Sequence, residues 1–366
     1  MFEFNYSMPT SLIVGRNCLV KNSSKLRDFG HKCLIVTGQR SSKLNGSLED
    51  CITSLENENI KYSIFDKISE NPSFDIIDTA YLEYKDIDIE FILAVGGGSA
   101  IEAGKAISVL FRNDISARDL LSKKHLTGIP LIAVPTTAGT GAETTPYAVL
   151  TQPEKGISRN IGQKIFPALA FLDARYTLNM SFPLTSCAAV DAFSHLAEGY
   201  LNARANFLTD TLAEKGLRLF GECLQPLRNQ DCSIEIREKL LLASSIGGMV
   251  ISQTGTSLPH NMGYVLTAEK LIPHGIATAM LYPGYLKIFR NTEKLERLLY
   301  LVQVESVDEL TDIFREILDF QNPTLSSEEI KNYVDGILSN EKKLKNHPEK
   351  VSRENLTVIY KTILTK

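Results

Sequence analysis

Asp191 and His195 stand four residues apart in VDAFSHLAEGY. On a helix that spacing puts both side chains on one face, with Cβ atoms about 5–6 Å apart. A carboxylate and an imidazole at that separation can chelate one cation, although such a pair taken alone is more often a surface ion pair. Two further histidines change the weighing. His260 lies in LPHNMGY and His274 in IPHGI. On one straight helix the gap between them would span about 21 Å, too far for a shared ion. Pro273 breaks any such helix and leaves residues 267–272 to turn back, so both histidines fall at helix starts behind a proline. The plainer reading is two capping or backbone-bonded histidines. Taken with Asp191 and His195, they make one carboxylate and three imidazoles, a set that suits a borderline divalent ion such as Fe²⁺ or Zn²⁺.

A second group of residues suits phosphate. The apolar run FILAV at 91–95 leads into Gly96-Gly97-Gly98-Ser99 and then a helix-like segment. Glycines let a ligand approach the backbone, and a helix N-terminus offers free N–H groups. The spacing matches neither the G-x-G-x-x-G fingerprint nor a Walker loop, and a tight turn would also use glycine. The run LIAV at 131–134 leads into Pro135-Thr136-Thr137-Ala138-Gly139-Thr140-Gly141. Both loops leave the C-terminal ends of strand-like runs, where open α/β sheets bind ligands. The run CLIVT at 33–37 ends in Gly38-Gln39-Arg40-Ser41-Ser42-Lys43. An acid there often binds the adenosine ribose; small, hydroxyl and cationic residues favour a 2′-phosphate instead, hence NADP(H) over NAD(H).

Chemistry of this kind needs rigid elements to hold it. Short apolar runs at 33–37, 91–95, 131–134 and 168–172 read as strands buried on both faces. They alternate with helix-like segments at 76–85 and 99–111, which implies a parallel α/β sheet. Beyond residue 183 only helical spacing continues, over 185–202, 208–225, 234–252, 274–289, 307–318, 326–338 and 353–363. The expected fold class is therefore α/β plus all-α, with an α/β domain over 1–181 and an all-helical domain over 182–366.

Composition removes other classes. The chain has 366 residues, 43% hydrophobic and 22% charged, with a net charge of −4. That mixture is globular and shows no nucleic-acid surface or polybasic anchor. Six scattered cysteines form no C-x-x-C pair, the first ten residues (MFEFNYSMPT) have no signal-peptide pattern, and no apolar run reaches membrane-spanning length. The expectation is a reduced, cytoplasmic protein with no membrane or nucleic-acid partner.

Four ordered motifs, GGGSAIEAGKA (96–106), PTTAGTGAETT (135–145), VDAFSHLAEGY (190–200) and HNMGYVLTAEKLIPHG (260–275), make the chain resemble the iron-containing, or group III, alcohol dehydrogenases. The similarity is greatest to the branch that acts on short primary alcohols and diols, such as 1,3-propanediol and butanol dehydrogenases. The resemblance implies a dehydroquinate synthase-like fold: a Rossmann-like N-terminal domain, a helical metal-binding domain, and an active site in the cleft between them. It implies Asp191, His195, His260 and His274 as metal ligands, Gly97, Gly98 and Ser99 as the pyrophosphate loop, and Thr136, Thr137 and Thr140 as dinucleotide contacts. Gly38 falls where NAD-preferring members tend to carry Asp; Ser41, Tyr147 and Leu178 complete the implied cofactor positions. The implied activity is hydride transfer between NADP(H) and a small alcohol or aldehyde, in a homodimer.

Three positions depart from the family pattern. Tyr264 stands where many members have a second histidine, often drawn as a proton relay; tyrosine titrates near 10 in model peptides and can pass a proton if tuned, so Tyr264 and His274 are the catalytic candidates. Glu102 replaces the usual Asp, and Tyr147 replaces an Asn. Two alternatives stay open: a glycerol dehydrogenase-like enzyme using NAD and zinc, against which His195 counts as a fourth ligand, and a metal-dependent hydrolase or lyase that uses no nicotinamide.

Overall fold

A computed structural model describes residues 3–152, 157–339 and 344–363. The chain forms two compact units. One holds Met8–Thr137 and Gly141–Met180; the other holds the chain up to Ser7, Ala138–Thr140 and everything from Ser181 onward. The sequence places one boundary after residue 181; the structure adds two short pieces to the helical unit. The first is tied by its backbone: Ser7 N donates to Gln253 Oε1 at 3.3 Å and Gln253 Nε2 donates to Ser7 O at 2.7 Å.

The α/β unit is built on a six-stranded sheet. Its strands are β1 (Ser11–Val14), β2 (Lys32–Gly38), β3 (Lys61–Ile68), β4 (Phe91–Gly96), β5 (Leu131–Pro135) and β8 (Leu169–Leu172), in the order β1-β8-β5-β4-β2-β3 and parallel throughout. β4 and β5 are buried along their whole length, as their unbroken apolar runs require. β1 and β3 escape the sequence reading because both are edge strands; β3, KYSIFDKI, carries charges toward solvent. The hairpin β6–β7 (Val149–Gln152, Ile157–Asn160) is antiparallel and too short to show periodicity. Helices α1 (Cys18–Lys21), α2 (Ser41–Leu44), α3 (Ser47–Asn57), α4 (Phe74–Tyr84) and α5 (Gly98–Asn113) belong to the same unit.

From β2 the chain first crosses outward to β3, then returns to place β4 on the other side of β2. The strand order reverses there, and ligands bind at such a switch point, beyond the carboxyl ends of the strands. Register aligns those ends: Thr37 pairs with Val95, and Gly96 with Pro135.

The helical unit comprises α6 (Phe182–Tyr200), α7 (Phe207–Arg228), α8 (Ile234–Thr254), α9 (Leu258–Lys270), α10 (His274–Ala279), α11 (Tyr282–Lys287), α12 (Glu293–Leu301), α13 (Val307–Leu318), α14 (Ser327–Leu338) and α15 (Arg353–Thr362). Among the described residues it contains no strand. α6 starts cleanly, with the Ser181 side chain accepting from Leu184 N and Pro183 in the first turn. Ser326 and Glu329 form the capping box their spacing suggests. The expected helix over 274–289 is instead two, α10 and α11, because Pro283 removes an N–H and its ring clashes with the preceding turn. No helix among the described residues is long and apolar enough to cross a membrane.

Candidate metal centre

α6 is buried on nearly every side from Ala189 to Leu201. One face packs Phe193 against Phe220, Tyr282 and Phe314, with ring centroids 5.1–5.2 Å apart. The polar residues sit on another face: Asp191, His195 and, one further turn along, Glu198. Packing therefore fixes the rotation of α6 and aims those three side chains together.

His260 enters from the first turn of α9, after Pro259. Leu271 then adopts a left-handed conformation at φ 54°, Pro273 is extended, and the chain restarts as α10 with His274 at its first position. This is the reversal the sequence allowed. α10 lies so close to α6 that a Cβ on Gly275 would stand 2.3 Å from the Cys187 carbonyl oxygen, a contact only glycine permits.

The four side chains converge. His260 Nε2 lies 3.5 Å and His274 Nε2 3.9 Å from Asp191 Oδ1. Asp191, His195 and His260 present ligand atoms all within 4.8 Å of one another. His274 stands at the margin of that cluster, its ring centroid 5.2 Å from that of His260. His195 and His260 stack at 4.6 Å. Asp191 Oδ1 and His260 Nε2 are buried and have no hydrogen-bond partner in the protein. Two adjacent buried orphans, one anionic, are costly unless something completes them. A carboxylate and three imidazoles around that point fit a divalent ion.

Outer partners orient the rings. The fully buried Glu198 carboxylate contacts His260 Nδ1 through Oε1 and accepts from Ser257 N through Oε2. His195 Nδ1 lies 3.3 Å from the Gly139 carbonyl, which Ala138–Thr140 bring against α6. Each contact occupies Nδ1 and leaves Nε2 toward the cluster, the arrangement metal-bound histidines use.

Electrostatics agree. Burial alone would raise the Asp191 carboxyl, but His195, His260 and His274 around it hold it well below the usual carboxylate range. Burial lowers His195, and it pulls His274 down to about 4 with the neighbouring imidazoles adding to the effect. Burial also disfavours charge on His260, yet Glu198 and Asp191 overcome it and push the ring up to about 10. The site thus presents an anion, two neutral imidazoles and one proton for an incoming cation to displace.

In the α/β unit, Gly97 starts α5, and the first intrahelical bonds run from Ala100 N and Ile101 N to the Gly97 carbonyl at 3.1 and 3.3 Å. Gly98 and Ser99 occupy the first turn, whose N–H groups point out of the helix end. Thr136 N donates to Gly96 O at 2.9 Å, so the glycine and threonine loops lie side by side. A Cβ on Gly97 would meet Thr137 Cγ2 at 3.1 Å and Oγ1 at 3.2 Å. Glycine lets the two loops pack this closely and leaves the N–H groups at the helix end uncovered by a side chain, as a pyrophosphate site requires. Gly38 ends β2, and Ser41 opens α2 and is exposed.

Residues 9–174 match the iron-containing alcohol dehydrogenase family, and residues 185–364 match the C-terminal region of the Fe-containing alcohol dehydrogenase family. The chain belongs to the iron-containing alcohol dehydrogenases. NADH-dependent butanol dehydrogenase B of Clostridium acetobutylicum is 29% identical over 84% of this chain and 81% of its own. 1,3-Propanediol dehydrogenase of Citrobacter freundii is 29% identical over 80% and 77%. The crystal structure of an iron-containing alcohol dehydrogenase from Thermotoga maritima superposes with a TM-score of 0.90 at 38% identity, covering 100% of this chain and 99% of that one. The chain is accordingly an enzyme of alcohol–aldehyde oxidoreduction with the family's Rossmann-like and helical halves, and the hydrolase or lyase alternative gives way.

Within that family setting, the structure brings Asp191, His195, His260 and His274 together, and separately gathers Gly97, Gly98, Ser99, Thr136 and Thr137 at the ends of β4 and β5. Thr140 belongs to the helical unit beside Gly139. Tyr147 lies on the backbone stretch held by Lys105, and Leu178 is exposed. Lys43, one of the cations expected to face a 2′-phosphate, is paired with Asp66 at 2.6 Å. Glu102 accepts from Val149 N at 3.0 Å. Tyr264 stacks on His274 with ring centroids 5.1 Å apart and is 43% exposed. The sequence reading assigns no role to Glu198. Its signal was available, because Glu198 follows His195 by three and Asp191 by seven, the same helix face.

Proposed function

We propose that the protein interconverts a short-chain primary alcohol or diol and its aldehyde, with iron held by Asp191, His195, His260 and His274 and with NADP(H) preferred over NAD(H). The observation that carries the metal assignment is the pair of buried, unpartnered atoms Asp191 Oδ1 and His260 Nε2, 3.5 Å apart. When bound, the ion supplies Lewis acidity to the alcohol or carbonyl oxygen and the nicotinamide takes up or supplies the hydride.

The chain's own residues do the rest. Asp191 would provide the single negative ligand, so a divalent ion held there would keep net positive charge. Glu198 and the Gly139 carbonyl fix the rings of His260 and His195, so little reorganisation remains at the moment of reaction. Tyr264, stacked on His274 and open on one side, is the group to which we assign proton passage to and from the substrate oxygen. Gly97, Gly98 and Ser99 seat the pyrophosphate, with Thr136, Thr137, Thr140, Tyr147 and Leu178 as further cofactor positions. Gly38, exposed Arg40 and exposed Ser41 support the 2′-phosphate reading; the Lys43–Asp66 pair removes one cation from it.

The test is oxidation of NADPH and NADH by anaerobically iron-loaded protein against a panel of C2–C5 aldehydes. Turnover with at least one short aldehyde, lost on metal removal and regained on adding Fe²⁺, is expected. Equal turnover by metal-free protein refutes the proposal, as does none with any aldehyde.

A further inference from the structure

Lys105 lies on α5 and its side chain is wholly buried, with 0% of its surface exposed. A lysine is almost never buried this completely unless its charge is satisfied. Here the partners are oxygens of one short backbone stretch. Nζ lies 2.7 Å from the Ala142 carbonyl, 2.8 Å from the Thr145 carbonyl, 2.8 Å from the Tyr147 carbonyl and 3.3 Å from Thr145 Oγ1. One turn earlier on the same helix, Glu102 accepts from Val149 N. The carboxylates of Glu102 and Glu143 also act on the ammonium; burial lowers it to about 8 and they oppose that, so it stays charged at neutral pH.

Converging carbonyl oxygens around one compact positive charge are what a monovalent cation site offers in place of water. Lysine suits such a cage because its ammonium is a point charge with three rotatable donors; the planar arginine fork does not. The captured stretch runs on from the threonine loop after β5 and includes Tyr147. It has little regular structure of its own, only the short 3₁₀ turn Ala142–Thr144.

We propose that Lys105 is a positioning residue, a covalently tethered substitute for a monovalent cation, which locks the Ala142–Tyr147 backbone in the shape that binds the nicotinamide dinucleotide. The proposal rests on the cofactor reading of the glycine and threonine loops. Lys105 itself is sealed beneath the backbone and needs no contact with the cofactor.

The test uses the full chain and fluorescence titration with NADPH and NADH. Lys105→Ala should weaken dinucleotide binding roughly 10- to 100-fold, the scale on which partners one layer behind a binding site act. Methylammonium or potassium chloride should recover most of that loss, and tetramethylammonium chloride, too large for the cage, should not. Lys105→Arg should stay weak under every salt, and metal content should match wild type in both variants. If Lys105→Ala folds only when a small cation is added, that also supports the assignment. The milder Thr145→Val variant, which removes one cage oxygen, then carries the affinity measurement and should bind more weakly. Binding by folded Lys105→Ala within about twofold of wild type, or a loss that no small cation relieves, overturns the proposal. Wild-type protein that binds neither dinucleotide refutes the cofactor reading and this role with it; wild type that binds, beside a variant that binds equally, refutes the role alone.

Discussion

Glu198→Gln isolates what the buried carboxylate does for the metal centre. Glutamine keeps the shape and removes the charge. In the native site both carboxylate oxygens accept, one from Ser257 N and the other at His260 Nδ1. An amide has one accepting oxygen, so its NH₂ must face either the Ser257 N–H or the imidazole. Facing Ser257 sets donor against donor in a buried place, at a cost of about 1–3 kcal/mol. Facing His260, it favours the tautomer with the proton on Nε2, which aims a hydrogen at the site of the ion. Either outcome should weaken iron binding roughly 10- to 100-fold, or about 1.4–2.8 kcal/mol. The assay is anaerobic Fe²⁺ titration followed by turnover, with dinucleotide binding measured in parallel. Affinity for Fe²⁺ should fall, excess Fe²⁺ should restore most of kcat, and dinucleotide binding should stay unchanged. Unaltered iron affinity in a folded variant would refute the orienting argument. Lost activity that no excess of iron recovers would place Glu198 in the chemistry instead.

His274→Ala removes one donor in four; if a four-ligand site is worth roughly 10–16 kcal/mol, its loss should lower metal affinity by about 100-fold or more and abolish turnover with it, which metal analysis and the aldehyde assay can check together. Gly275→Ala would press a Cβ to 2.3 Å from the Cys187 carbonyl, so it should cost about 1–3 kcal/mol of stability and displace His274; Gly336→Ala in α14, with nothing within 4 Å of the new Cβ, should be neutral or slightly stabilising in the same melts. His260 is raised to about 10 in the metal-free fold, so its protonation favours folding fully below about pH 6.5, the unfolded value, and that contribution fades as pH rises toward 10. Metal-free protein should therefore lose thermal stability across that window, and Fe²⁺ loading near pH 7 should release a proton, readable with a pH indicator in weak buffer.

The fold is legible in the sequence where one residue type dominates the physics. Unbroken apolar runs marked β2, β4 and β5 because a strand covered on both faces has no polar choice. The convergence of Asp191, His195, His260 and His274 was legible because Asp191 and His195 share a helix face and Pro273 forces the turn that returns His274. The rest is not legible there, because the decisive fact is tertiary. β3 is held by pairing with β2, not by its own alternation, and Pro283 alone did not show that α10 and α11 would separate. Nothing in the local sequence around Lys105 marks it as buried; only the folded backbone from Ala142 to Tyr147 turns it into a buried clamp. Lys43 shows the converse, a cation available on paper that Asp66 occupies in the fold.

The metal centre also has consequences for stability. α6 buries Asp191, His195 and Glu198 within its most enclosed stretch, where an apolar helix would pack at less cost. Glu198 is satisfied by His260 and Ser257, but Asp191 Oδ1 and His260 Nε2 are not. At 3.5 Å their mutual ion pair is long and makes no good hydrogen bond, so it repays their burial only in part; the shortfall is about 1–3 kcal/mol in the metal-free fold, a sizeable part of a typical 5–15 kcal/mol total. An ion that binds only the folded chain offsets this, adding about 4 kcal/mol at a thousandfold excess over its dissociation constant. Iron should therefore raise the melting temperature of the helical unit, and Asp191→Asn should lower that gain more than it lowers the stability of the metal-free protein. An amide at 191 keeps the volume and removes only the charge the ion requires. A melting temperature indifferent to Fe²⁺ in the wild type would mean that the cluster is held together without it, and the assignment of these four residues as ligands would fail.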